Sequence, residues 1–141
     1  MRLVSALYAG FNPFDLLDVF DDYAVVETHD DLQRGDVLIS HGGADIPPEF
    51  YGKGRSSRSG SSGISRRDAI EWAMMHRAKE LDVPIIGICR GAQMLCALEG
   101  GYLYQHVDNH GGSHTITAKD VDNSIIKLEV NSIHHQMMKL Y

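Results

Sequence analysis

Cysteine is scarce in this sequence: Cys89 and Cys96 are the only two among 141 residues, which permits one bridge at most and argues against a secreted disulfide scaffold. An excess of positive charge is also missing. Thirteen Lys+Arg stand against nineteen Asp+Glu, for a formal charge of −6, so general electrostatic capture of nucleic acid or of an anionic membrane is not expected. No apolar run approaches the ~20 residues that cross a bilayer. The first residues, MRLVSALYAG, have neither a charged leader nor the apolar stretch of a signal peptide. Together these absences point to a cytoplasmic chain. With 43% hydrophobic and 23% charged residues, what is present is the composition of a folded domain, and 141 residues suit one domain, not two. There is no internal repeat, and the single low-complexity segment, YGKGRSSRSGSSGIS over residues 51–65, reads as a flexible Gly/Ser/Arg loop. The ending, NSIHHQMMKLY, is apolar to its last residue, with no polar tail.

Four short runs have strand character: residues 2–8 (RLVSALY), 23–27 (YAVVE), 36–40 (DVLIS) and 84–88 (PIIGI). They are apolar on consecutive positions, as in parallel strands covered on both faces. Helical patterns lie between them. Asn12-Pro13 opens FDLLDVF, and Ser65 with Asp68 has the form of a capping box. Beyond that box, Ile70, Ala73, Met74, Ala78 and Leu81 fall on one stripe, with Trp72 and Met75 at its edges and Arg67, Glu71, Arg77 and Glu80 largely off it. A further helix is predicted over residues 91–98, stopped by Gly100-Gly101, with Cys96 in its core face. Residues 102–105, 114–118 and 125–130 read as later strands around a Gly- and His-rich loop. Strands alternating with helices imply βαβ units and a parallel sheet.

In such a sheet the ligand site lies beyond the carboxyl ends of the strands. Gly10, His41-Gly42-Gly43 and Cys89 all fall there. Gly-Ile-Cys-Arg-Gly at 87–91, between an apolar strand and a helix, is the pattern of a nucleophile elbow, whose glycines permit a tight turn that pushes the middle side chain outward. A helix N-terminus and the adjacent Arg90 favour a thiolate on Cys89. The backbone N–H of Arg90, with one from Gly42 or Gly43, is suited to an oxyanion. The plainer alternative is a buried cysteine closing a strand.

GICRGAQ (87–93) resembles the nucleophile motif of the class I glutamine amidotransferase superfamily, and the arginine after the cysteine resembles its γ-glutamyl hydrolase branch. GGADIPPEFYG (42–52), RRDAIEWAMMHRAKELDVPIIGICRGAQMLCALEGGYLYQ (66–105) and VNSIHHQ (130–136) are similar to further segments of that branch, in the same order. The resemblance implies a flavodoxin-like three-layer α/β sandwich with a mostly parallel sheet. It implies hydrolysis of a γ-glutamyl amide through a thioester on Cys89, an oxyanion hole at Gly43 and Arg90, and a place for Gln93 and Gly42 at the substrate. Arg55 and Arg58, in the loop at the same edge, are candidates for attracting a substrate carboxylate. A γ-glutamyl small molecule or glutamine is the implied substrate. A synthetase or ligase, or a second copy of the chain, is the protein partner left open. No cofactor is implied.

The same resemblance places a His-Pro-Glu or His-x-Glu motif, with further strands and a helix, after VNSIHHQ, and no His-x-Glu occurs in the 141 residues. Three expectations follow. The chain is a piece of a longer protein, or a short form whose base comes from another subunit or from His134 or His135, or a relative that keeps the pocket and binds without catalysis. His106, His110 and His114 recur every four residues, as zinc ligands on a helix would. Asp108, Asn109, Gly111 and Gly112 between them favour a surface loop of solvated imidazoles and no metal site.

Overall fold

The computed structural model describes residues 1–6 and 19–139. Gly10, most of the helix expected after Asn12-Pro13 and the last two residues of the apolar ending lie outside the described residues. Strands β1 (Arg2–Ala6), β2 (Asp22–Val26), β3 (Val37–Ser40) and β4 (Ile85–Gly87) form one parallel sheet in the order β2-β1-β3-β4. Flanked by helices, this is an α/β arrangement consistent with a flavodoxin-like fold.

Consecutive apolar residues in β1 and β3 are divided between the two faces of this sheet, which is the physical meaning of their unbroken runs. Val4, Ala6 and Leu38 join Met74, Met75, Ala78 and Met94 in the larger core. Leu3, Val37 and Ile39 form a second cluster with Phe20 and Tyr23. Each such side chain, fully buried, contributes roughly 1.5–3 kcal/mol. β4 differs from the expectation: Ile86 and Ile88 are more than a third exposed, so the second face of that strand is open among the described residues.

Helix α1 (Arg66–Leu81) begins where the capping box predicts. Ser65 Oγ accepts the Asp68 N–H at 3.1 Å and Asp68 Oδ2 accepts the Ser65 N–H at 2.7 Å. The chain then turns through Asp82, left-handed at φ 57°. The buried face, however, is rotated from the apolar stripe: it carries Met74, Met75 and Ala78 together with Asp68 and Glu71. Met75 is fully buried, not peripheral, and Glu71 is 4% exposed. Trp72 stacks on Phe50 at 4.4 Å between ring centroids. That contact fastens the single 3₁₀ turn Pro48–Tyr51 to α1.

Helix α2 (Arg90–Leu98) starts one residue earlier than predicted. Its end follows the Gly-Gly signal: Gly100 is left-handed at φ 82° and the Gly101 N–H reaches the Cys96 carbonyl at 2.9 Å. Cys96 is half-buried, outside the central core. Strands β5 (Tyr102–Tyr104), β6 (Gly111–Lys119), β7 (Ile125–Ile133) and β8 (Met137–Lys139) follow, with β5 antiparallel to β8 and β6 antiparallel to β7. The hairpin is longer than the sequence suggests, because it absorbs Gly111 to Ser113 from the expected loop and extends β7 to Ile133. β8 was not anticipated. Residues 51–65 contain no helix or strand apart from the end of that 3₁₀ turn, but they are tethered. The Gln105 side chain accepts the Ser56 N–H and donates to the Gly54 carbonyl, both at 2.8 Å, and Asp45 accepts the Gly60 N–H at 2.8 Å.

The sheet and α2 meet without room for side chains. Ser40 pairs with Gly87, and the Ser40 carbonyl accepts the Ile88 N–H at 2.9 Å. A Cβ on Gly91 would run into that same carbonyl, and one on Gly87 would lie 2.6 Å from the Ala92 nitrogen. Gly91→Ala is therefore expected to lower the unfolding free energy by roughly 1–3 kcal/mol in a urea titration. Gly54→Ala, whose Cβ meets nothing within 4 Å, is expected to stay within about 0.5 kcal/mol.

Candidate active site

Cys89 caps α2 from the end of β4 with φ 52° and ψ −110°. A side chain at positive φ is strained, and such strain persists only where the surroundings fix it. Here they do, because the close approach of Gly87 to Ala92 and of Gly91 to Ser40 leaves the chain one sharp path. The elbow therefore holds the thiol out on an exposed tip. The Arg90 N–H is the first of the helix and belongs to the group that helices leave without an intrahelical partner.

Opposite the elbow, β3 runs into His41-Gly42-Gly43. Gly42 faces the nucleophile so closely that its Cβ would stand 3.6 Å from that of Cys89. A cavity of about 570 Å³ opens between the two turns, lined by Gly42, Gly43, Asp45, Cys89, Gln93, His134, His135 and three neighbours, His41, Ile88 and Ile133. Its far wall is the segment after β7. Gln93 Nε2 donates to the Gln136 carbonyl at 3.2 Å, His134 Nδ1 lies 2.9 Å from the same carbonyl, and His135 Nε2 lies 2.9 Å from Asp45 Oδ2. Most residues singled out in the sequence thus share one cavity.

Three assignments change. Arg90 was expected to lend its charge to the thiolate, but its side chain is 2% exposed and points away into ion pairs with Asp68 and Glu71. Asp68 and Glu71, the latter shared with Arg67, take up its charge, so the group adjoining Cys89 is the N-terminus of α2 and not a free guanidinium. Arg55 and Arg58 do not line this cavity; they lie 3.6 Å from Glu49 and 3.3 Å from Asp108, respectively. The histidines of the expected solvated loop are not isolated. His106 packs on His135, and His110 on His114 and His134, at ring separations of 5.0–5.3 Å. Gly111 pairs with Ile133, which brings the end of the loop beside His134. Among the described residues no group of three or more His, Cys, Asp or Glu is arranged to hold a metal ion.

Sequence reasoning missed Asp45, Arg67 and Glu71. Arg67 and Glu71 had a visible signal in their four-residue spacing on a helix. Their position largely off the apolar stripe masks that signal. Arg67 Nε donates to Glu71 Oε1 at 2.8 Å and Arg67 Nη2 donates to the Gly42 carbonyl at 3.0 Å. Asp45 had no comparable local signal, since its partners lie at residues 60 and 135.

A cysteine at the strand–helix elbow of an α/β sheet, with a glycine turn facing it, is the geometry of a nucleophile elbow. Residues 19–140 match the family described as Peptidase C26, and the chain belongs to that family, whose fold is of the class I glutamine amidotransferase kind. It is 31% identical over 121 residues to "Putative glutamine amidotransferase-like protein YvdE" of Lactococcus lactis, covering 74% of this chain and 51% of that protein. It is 33% identical over 123 residues to "Putative glutamine amidotransferase PB2B2.05" of Schizosaccharomyces pombe, covering 74% of this chain and 48% of that protein. Protein NtpR of Enterococcus hirae is 30% identical over 127 residues, covering 77% and 53%. The chain spans about half the length of these curated relatives. No helix among the described residues is long and apolar enough to cross a membrane.

Two predictions follow from the electrostatics. Arg90→Met leaves Asp68 buried without a cation and Glu71 with Arg67 alone, and unfolding titrations should show a loss of roughly 3 kcal/mol. Arg77→Met, which breaks a surface pair with Glu80, should cost under about 1 kcal/mol. Burial holds His41 below its ordinary value of 6.5; nearby Glu71 opposes that shift and Arg67 adds to it. A depressed folded-state value means that the unfolded chain takes up the proton first, so this contribution to stability is complete above 6.5 and is lost as pH falls below it. His41→Gln should flatten the stability profile below pH 6.5, by at most ~1.4 kcal/mol per pH unit for one proton.

Proposed function

We propose that this protein hydrolyses a γ-glutamyl amide, with Cys89 as the nucleophile. The observation that carries the reading is the strained, exposed Cys89 at the start of α2, facing Gly42 across a cavity that also contains Gly43 and Gln93. The thiolate sulfur attacks the amide carbonyl carbon. The tetrahedral oxyanion that forms is met by the N–H groups of Arg90 and Gly43. The C–N bond breaks, the amine departs with a proton, and water then cleaves the thioester to release glutamate and the thiol. Because the carbonyl carries no net charge until attack, N–H dipoles aimed at the oxygen favour the transition state over the substrate.

Gln93 and Gly42 are assigned to the glutamyl group. Arg55 and Arg58 keep a role only as outer charges that attract its carboxylate. His135, one of the imidazoles lining the cavity, has a carboxylate partner, Asp45 at 2.9 Å. That arrangement fixes a tautomer and supports proton transfer. His134 and His135 are therefore the candidates within this chain for moving a proton to or from the sulfur. The arginine after Cys89 favours the γ-glutamyl hydrolase branch. Supply of ammonia to a synthetase partner is the amidotransferase form of the same chemistry.

A diazo-ketone analogue of glutamine should label Cys89 stoichiometrically, leave Cys96 untouched and fail to label Cys89→Ala, as read by intact and peptide mass. Native protein left unlabelled at Cys89 would overturn the assignment. A free-standing hydrolase should release glutamate alone, whereas an amidotransferase component should do so only on adding its partner.

A further inference from the structure

The reading above needs the Gly43 N–H to face the cavity, yet a glycine turn does not fix its own peptide planes. The structure contains a clamp for this one. Arg67 reaches from the first turn of α1 and donates Nη2 to the Gly42 carbonyl at 3.0 Å. Its Nε is held by Glu71 at 2.8 Å, and Glu71 is itself buried and paired with Arg90. The Gly42 carbonyl and the Gly43 N–H belong to the same peptide unit. No cis bond occurs among the described residues, so the two point in opposite directions. A guanidinium that grips the carbonyl therefore turns the N–H away from α1, and Gly43 lines the cavity that holds Cys89.

Gly43 leaves no slack in this arrangement. A Cβ on it would lie 2.5 Å from Arg67 Nη1 and 3.3 Å from Arg90 Cδ, so the Arg67 guanidinium packs directly against the glycine. Arg90 is held by the same glutamate, and its own N–H is the second proposed oxyanion donor. One carboxylate, Glu71, thus fixes both donor-bearing turns through two arginines.

We infer that Arg67, anchored by Glu71, is a positioning residue that sets the orientation of the Gly42–Gly43 peptide and thereby aims the Gly43 N–H at the oxyanion. This rests on the γ-glutamyl hydrolysis assigned to Cys89, and the measurements below separate the two. Arg67 touches neither the sulfur nor the reacting carbonyl. Its loss should therefore act on the transition state and spare both substrate binding and the intrinsic reactivity of the thiol.

The test uses Arg67→Ala in the full chain. The turnover number for a γ-glutamyl anilide should fall about 100-fold, the scale of one lost oxyanion donor, with KM within about threefold. Alkylation of Cys89 by iodoacetamide, which develops no oxyanion, should proceed within about twofold of the native rate. Added methylguanidinium should restore part of the turnover. A turnover number within about threefold of native overturns the inference, as does a fall matched by an equal fall in alkylation. If the native protein neither turns over the anilide nor reacts with the diazo-ketone, the hydrolase reading fails by itself, and the Gly43 amide decides the inference. A changed proton shift and faster hydrogen exchange confined to Gly42–Gly43 in Arg67→Ala sustain the clamp; an unchanged Gly43 amide overturns it.

Discussion

Everything distinctive about this molecule hangs on one buried guanidinium. Arg90 lies inside the domain, and Asp68 and Glu71 from α1 meet it there. Bringing three ionised groups out of water is expensive, and their mutual attraction offsets that cost only when the geometry is good and every donor has an acceptor. The consequence is positional. Asp68 also closes the capping box with Ser65, so the group that starts α1 is the group that receives Arg90. The first turns of α1 and α2 are thereby held at a fixed separation, and Cys89 is the residue immediately before Arg90.

A second constraint works at the backbone. β4 and α2 approach β3 so closely that the contact is made by Gly87, Gly91 and the Ser40 carbonyl, with no side chains between. Close packing prevents the elbow from relaxing toward an ordinary turn, and Cys89 keeps a positive φ that its side chain would otherwise avoid. The polar lock and the steric lock act on successive residues of one short segment. Neither alone would suffice: the ion pairs fix the direction of α2, and the glycines fix how sharply the chain enters it.

What the sequence made legible divides along the range of the interactions. The capping box at Ser65 and Asp68, the Gly-Gly stop after Leu98 and the elbow glycines are local. Each is a residue type required by the backbone within four positions, and each was read correctly. The central strands β1 and β3 are also legible, because burial on both faces leaves unbroken apolar runs; β2 and β4 carry similar runs although Val25 and Ile86 are exposed. Glu71 was not. Periodicity counts a glutamate as a solvent-facing residue, and only the position of Arg90, nineteen residues on, reverses that. The same limit hides Arg67, whose partner is a carbonyl in the turn after β3, and Asp45, which joins residues 60 and 135. β8 pairs with β5 across more than thirty residues and has too short and mixed a pattern to signal itself. Pattern singles out Gly42, Gly43, Cys89, Gln93, His134 and His135, which line one cavity; the network around them has no such local pattern.

The neutralisation of Arg90 also clarifies what kind of electrostatics suits an acyl-transfer site. A free guanidinium beside the sulfur would stabilise the thiolate before attack and would lose that interaction as the negative charge moves to the carbonyl oxygen. It would favour the ground state at least as much as the transition state, and uniform stabilisation does not accelerate a chemical step. Backbone N–H dipoles aimed at the position of the oxyanion behave in the opposite way, gaining as charge arrives there. In this fold the arginines hold peptide units in place, Arg90 at the start of α2 and Arg67 at the Gly42 carbonyl. Their charges are absorbed by Asp68 and Glu71, and in the proposed reaction what they contribute at the cavity is the orientation of the Arg90 and Gly43 peptide units.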